Sequence, residues 1–287
     1  MKRMILAAAL AALAVPAQAG QISVVAAENF YGDVARQIAG PDVSVASILS
    51  NPDQDPHMFE ASPSVARALS GARIVIYNGA DYDPWMDTLL AAARSPDRQV
   101  IVVANLVGKQ PGDNPHLWYD TATVAAAARA LSAAFTKDDP DHADGYARRL
   151  QTFLATLQPI DAEVGRLRAA FHGTPVIATE PVFGYMASAI GLDMHAAKFQ
   201  MAVMNDTEPS ASDVAAFEGD LRQHRVKVML YNSQATDGAA RRLLHIAEAS
   251  GVPVVGVSET EPLGKSYQAW MTGQLDALGA ALAKPGS

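Results

Sequence analysis

Four short segments of the 287-residue chain place a histidine or a glutamate at a junction between regular elements: His57 in DQDPHMFEASP, His116 in DNPHLWYD, Glu180 in IATEPVFGYM and Glu259 in VGVSETEPLG. Imidazole nitrogen and carboxylate oxygen are donors that suit zinc, manganese or ferrous iron. Pro56 and Pro115 stand one residue ahead of the two histidines and hold the chain extended there, which favours a fixed ring. The remaining histidines offer less. His224 and His245 fall on helical faces, His142 in an acidic helix start and His172 just past a helix, while His195, in LDMHAAKF, is the nearest competitor. Cysteine is absent, which excludes thiolate ligands, disulfides and a lipid-bearing cysteine.

The elements that must position these residues alternate. QISVVAAENFYGDVARQIAG reads as a strand running into a helix, VSVASILS as the next strand, and SPSVARALSGARIVIYNGA as a helix opened by Ser62-Pro63 followed by a strand over Ile74–Tyr77. RQVIVVANL supplies a further strand. Residues 121–134 are alanine-rich and helical, and residues 140–171 carry apolar positions three and four apart, the pattern of one long helix that Pro159 should kink or divide. The alternation then resumes, with strands TPVIAT, VKVMLYN and VPVVGVS, helices over PVFGYMASAIG, SASDVAAFEGDLRQH and DGAARRLLHIAEASG, and a terminal helix over 266–283. We therefore expect an α/β fold of two lobes, each a mainly parallel β-sheet flanked by helices, with a first lobe over 20–139, a connecting long helix over 140–171 and a second lobe over 172–287. Two of the four candidate ligands fall in each lobe. In open α/β sheets ligands sit beyond the carboxyl ends of the strands, so the four would meet in the inter-lobe cleft.

The first twenty residues, MKRMILAAALAALAVPAQAG, have two basic residues, a short apolar run and an Ala-Gln-Ala cleavage pattern. They read as a signal peptide over 1–19, and the mature chain as an exported, periplasmic protein. The formal charge of -8 becomes -10 once Lys2 and Arg3 leave with the leader. Such an acidic chain, 49% hydrophobic and 18% charged, is globular and lacks the basic footprint that nucleic acid or an anionic membrane needs. No other run is long and apolar enough to suggest direct membrane insertion. A small cation suits it as a partner.

With DPHMFEASPS, NPHLWYD and EPVFGYMASAIGL in this order, followed by VMLYNSQ and IAEASGVPVV, the mature chain resembles the periplasmic solute-binding proteins that deliver zinc or manganese to ABC importers. The resemblance implies a monomer, not an enzyme, that carries one divalent ion, Mn2+ or Zn2+, to a membrane permease. It implies His57 and His116 as the first two ligands. Glu180 stands where zinc members usually have His and manganese members Glu, and Glu259 takes the fourth place, with Glu261 close enough to be confused with it. The long His-rich and acid-rich loop of many zinc members is absent, VGKQPGDNPH being short. Two nitrogens and two carboxylates favour manganese slightly and leave zinc open, since zinc binds such a set more tightly by intrinsic order. Asp55 and Glu60 are candidates to fix the ligand imidazoles from behind. Two other readings stand beside this one. An exported metal-dependent hydrolase would use Glu259 or Glu261 as base, although no H-E-x-x-H motif or nucleophile elbow is present. A binding protein for a metal chelate would line a larger pocket with Trp85, Trp118 and Tyr119.

Overall fold

The computed structural model describes residues 21–51, 59, 61–205, 207–234 and 238–285. The first half runs β1 (Ile22–Glu28), α1 (Asn29–Ala39), β2 (Val43–Leu49), α2 (Pro63–Gly71), β3 (Ile74–Tyr77), α3 (Trp85–Ala92), β4 (Gln99–Val102), α4 (Val103–Leu106) and α5 (Thr121–Asp138). The long helix α6 (Ala143–Phe171) follows. The second half runs β5 (Pro175–Ala178), α7 (Gly184–Ile190), β6 (Asp193–His195), α8 (Ala197–Met204), α9 (Ala211–Arg222), β7 (Val228–Asn232), α10 (Gly238–Ala249), β8 (Val254–Val257) and α11 (Tyr267–Ala283).

The strands form two four-stranded sheets, each parallel throughout, in the orders β2-β1-β3-β4 and β6-β5-β7-β8. The two lobes thus share one topology. All four residues of β3 are buried, which is why IVIY is an unbroken apolar run and does not alternate: helices cover both faces of a parallel sheet. Short β4 ends earlier than the sequence suggests. Val103 to Leu106 turn into α4, where the Ala104 N–H donates to the Asn78 carbonyl at 2.8 Å.

One apolar cluster joins the lobes. It includes Val24, Ile74 and Ile76 of the first sheet, Val176, Val228 and Leu230 of the second, and residues of α5, α6 and α11. Helix α6 buries Tyr146, Phe153, Leu157, Ile160 and Leu167, a single stripe along its length. It runs unbroken through Pro159, so the expected division does not occur. Pro159 lies on the exposed face, where water can take the carbonyl that loses its N–H. Residues just past the carboxyl ends of the two sheets meet between the lobes, as Asn29 after β1 does with the backbone of Glu261 after β8.

Candidate metal centre between the lobes

Glu180 follows β5 and precedes Pro181. A residue before proline is pushed to extended backbone, and Glu180 has φ -146° and ψ 158°, immediately ahead of a short 3-10 turn over Pro181–Phe183 that leads into α7. His116 sits in the loop between α4 and α5, not at a strand end, and is followed by a 3-10 turn over Leu117–Tyr119. Leu117 and Trp118 are buried behind it, with the indole edge-on to the imidazole at 5.3 Å between centroids. Glu259 lies in the loop after β8 and is wholly buried.

The imidazole has a fixed tautomer. Asn114 Nδ2 donates across the crevice to the Pro181 carbonyl at 2.8 Å, so its Oδ1 faces His116 and accepts from the ring Nδ1–H at 2.7 Å and the His116 backbone N–H at 3.1 Å. The proton is therefore on Nδ1 and the lone pair on Nε2. Among the described residues Nε2 has no hydrogen-bond partner, and it lies 3.6 Å from Glu259 Oε2. Two tetrahedral donors of one zinc ion stand roughly 3.4 Å apart, so this gap is one an ion could bridge. Gly184 belongs to the same arrangement: a β-carbon there would come within 2.7 Å of Asn114 Nδ2, so only glycine lets the amide approach.

The second lobe holds its two glutamates through the turn that leaves β7. Asn232 Nδ2 donates to Glu180 Oε2 at 3.0 Å and to Glu259 Oε1 at 2.7 Å. Gln234 Oε1 accepts the backbone N–H groups of Glu259, at 2.6 Å, and Thr260, at 3.2 Å, and its Nε2 donates to Thr260 Oγ1 at 2.8 Å. Tyr82 closes the site from the first lobe. Burial, then the carboxylates of Glu259 and Glu28, raise its hydroxyl well above the usual tyrosine range, so it stays protonated.

The structure separates the two acids that sequence confuses. Glu259 faces His116, whereas Glu261 lies beside a pocket of about 550 Å³ whose walls include Asp33 and Arg36. Burial first and Asp33 second push its carboxyl up to about 8, against the pull of Arg36. Asn29 takes the Glu261 backbone by both ends: Nδ2 donates to its carbonyl at 2.7 Å and Oδ1 accepts its N–H at 3.0 Å. His57, with Asp55 and Glu60, lies outside the described residues. Among those described, no three His, Asp or Glu side chains gather closely enough to hold an ion. The competitor His195 ends β6, with Nδ1 against Asp220 at 2.8 Å and Nε2 3.7 Å from Asp193. Trp118 and Tyr119 are buried in an aromatic stack with Phe30, Phe183 and Trp270. Trp85 packs on Phe59. Sequence reasoning did not single out Asn114, Asn232 or Gln234 as site residues. The only signal for them was that they stand inside motifs, NPH and YNSQ.

Two parallel-sheet lobes that share a core and present imidazole and carboxylate from loops on either side of one crevice have the architecture of a solute-binding protein. The chain belongs to the family described as zinc-uptake complex component A, periplasmic, whose model matches residues 24–281. It is 23% identical to the manganese ABC transporter substrate-binding lipoprotein PsaA of Streptococcus mitis, over 93% of this chain and 92% of that one. It is 22% identical to the iron ABC transporter substrate-binding lipoprotein MtsA of Streptococcus pyogenes serotype M1, over 93% and 91%. Among solved structures it resembles the periplasmic zinc binding protein TroA of Treponema pallidum, with a TM-score of 0.78 and 23% identity over 92% of this chain and all of that one.

Proposed function

We propose that this chain captures one divalent transition metal ion, manganese or zinc, in the inter-lobe cleft and delivers it to the permease of an ABC importer. His57, His116, Glu180 and Glu259 are the ligands in this reading. The single observation that supports it best is the buried His116: Asn114 fixes its tautomer, and its Nε2 faces the Glu259 carboxylate across 3.6 Å. The family and the metal importers among its relatives point the same way. The chain works as a monomer in the periplasm after residues 1–19 are removed, as a binding protein and not a catalyst. No helix among the described residues is long and apolar enough to cross a membrane.

The test is elemental analysis of the exported protein, then chelator stripping and competition between manganese and zinc. The reading expects one equivalent of metal in the parent and loss of tight binding in the His57→Ala/His116→Ala double variant. A double variant that binds as tightly as the parent would remove both histidines from the ligand set.

A further inference from the structure

The turn over Pro181–Phe183 and the start of α7 belong to the second lobe, yet they grip Asn114 of the first at two points. The Pro181 carbonyl accepts from Asn114 Nδ2 at 2.8 Å, and the Tyr185 hydroxyl donates to the Asn114 carbonyl at 2.7 Å. A carbonyl can only accept, so Pro181 selects the NH2 side of the amide and leaves Oδ1 for the His116 ring. The His116 backbone N–H, at 3.1 Å from Oδ1, agrees with that choice but lies on the same loop and moves with it. Gly184 stands between the two grips with φ -59° and ψ -44°, ordinary helical backbone, so no conformational demand calls for a glycine there. What the glycine supplies is room. Outside its own helix and chain neighbours, Asn114 Nδ2 is the only atom among the described residues that a β-carbon at Gly184 would meet within 4 Å, and it would meet it at 2.7 Å.

We propose that Gly184 and Tyr185 are positioning residues for His116: through Asn114, the second lobe fixes the tautomer of a ligand that the first lobe carries. This rests on the capture reading, in which His116 binds the ion. The imidazole presents a bare Nε2 to the crevice only while the Pro181–Tyr185 segment lies against the loop that holds Asn114. Glu180 directly precedes Pro181, so one turn both carries that carboxylate and readies the imidazole opposite. With the turn drawn away, the amide loses the acceptor that orients it. The neutral ring can then carry its proton on Nε2, the nitrogen a metal needs free.

Nitrogen NMR of the metal-free protein, recorded above the ordinary histidine titration range, distinguishes the two neutral tautomers, and loss of the signal in His116→Gln assigns it. The parent is expected to carry the proton on Nδ1. Gly184→Ala suits the helical backbone and pushes only on the amide, so the Nε2-protonated form should appear and manganese and zinc affinity should fall about tenfold or more by chelator competition. Its urea denaturation midpoint should stay at or above that of the parent, whereas a role in folding alone would lower the midpoint and leave the tautomer as it was. Tyr185→Phe keeps the ring under Lys109 Nζ and removes one hydrogen bond, so it should act in the same direction by about fivefold. A parent with its proton on Nε2 overturns the inference and leaves metal capture intact. So does a folded Gly184→Ala or Tyr185→Phe that keeps the parent tautomer, or that changes it without losing affinity. A folded parent that takes up neither manganese nor zinc overturns the capture reading, and the role in binding with it.

Discussion

Each sheet reverses its strand order once, between β1 and β3 in the first lobe and between β5 and β7 in the second, and each reversal carries a glutamate and an asparagine. In the first lobe these are Glu28 and Asn78; in the second, Glu180 and Asn232. The outcomes differ because the two amides bond to different groups. Asn78 donates to the backbone carbonyls of Gly79 and Pro115 and accepts from the Tyr31 hydroxyl. Glu28 is left facing Asp83, whose carboxylate takes the N–H groups of Asn78 and Gly79 at 2.7 and 2.8 Å. Burial, and then the charge of Asp83, raise the Glu28 carboxyl well above its ordinary range, so it holds a proton against its neighbour. Asn232 instead donates to two carboxylates. The same pair of residue types gives a protonated internal acid in one lobe and two placed carboxylates in the other.

The largest test of that contrast removes one acid from each side. Glu259→Gln should lower metal affinity by about a hundredfold or more, as it deletes a ligand charge and not an outer partner, whereas Glu28→Gln should leave affinity within a few-fold. Chelator competition on both variants measures this, and an equal loss in the two would erase the distinction between the lobes. Next in size is Asn114→Ala. It frees the imidazole to change tautomer and should weaken binding about 10- to 100-fold. If Asn114→Ala binds like the parent, the tautomer is fixed by something other than the amide.

How much of this could be read from sequence follows from what each residue type announces. Apolar runs such as IVIY and a proline beside His57, His116 and Glu180 mark strands and constrained junctions, so the α/β alternation, the long helix and the placement of Glu180 next to Pro181 were legible. Helix α3 was not, because WMDTLLAA buries only Met86 and shows no stripe. The asparagines were invisible for a different reason. A neutral amide has no periodicity and no charge, and the groups it holds are remote in sequence, as Asn114 is from Pro181 and Asn232 from Glu180. Glu28 ends β1, and nothing local in the sequence says that it meets Asp83. Tertiary contact alone turns these residues into parts of a site.

The internal acid of the first lobe makes a prediction about pH. Asp83 is pushed up to about 6 by burial, and burial with the charge of Asp83 raises Glu28 well above its ordinary range, so above the ordinary carboxylate range near 4 the folded chain binds more protons than the unfolded one. Unfolding free energy therefore falls as pH rises through about 4 to 6 and continues to fall until Glu28 has titrated. Glu28→Gln keeps a donor toward Asp83 without the cost of holding a carboxyl protonated above its ordinary range. Urea denaturation of the metal-free protein should find it more stable than the parent at pH 7, by on the order of 1–3 kcal/mol, with the slope between pH 4 and 7 reduced. A variant less stable than the parent at every pH would mean that the pair stabilises the lobe as it stands.

The smallest expected effect lies where the lobes meet. Asn29, at the start of α1, ties down the backbone of Glu261, two residues beyond Glu259, while Gln234 holds Glu259 itself from within the second lobe. If the second lobe alone places its carboxylates, Asn29→Ala should cost about 1–2 kcal/mol of stability for two lost hydrogen bonds and weaken metal binding less than about tenfold. Denaturation and chelator competition separate the two quantities. A loss of affinity as large as that of Asn114→Ala would show that Glu259 is placed from across the crevice, and that the two carboxylates depend on the first lobe after all.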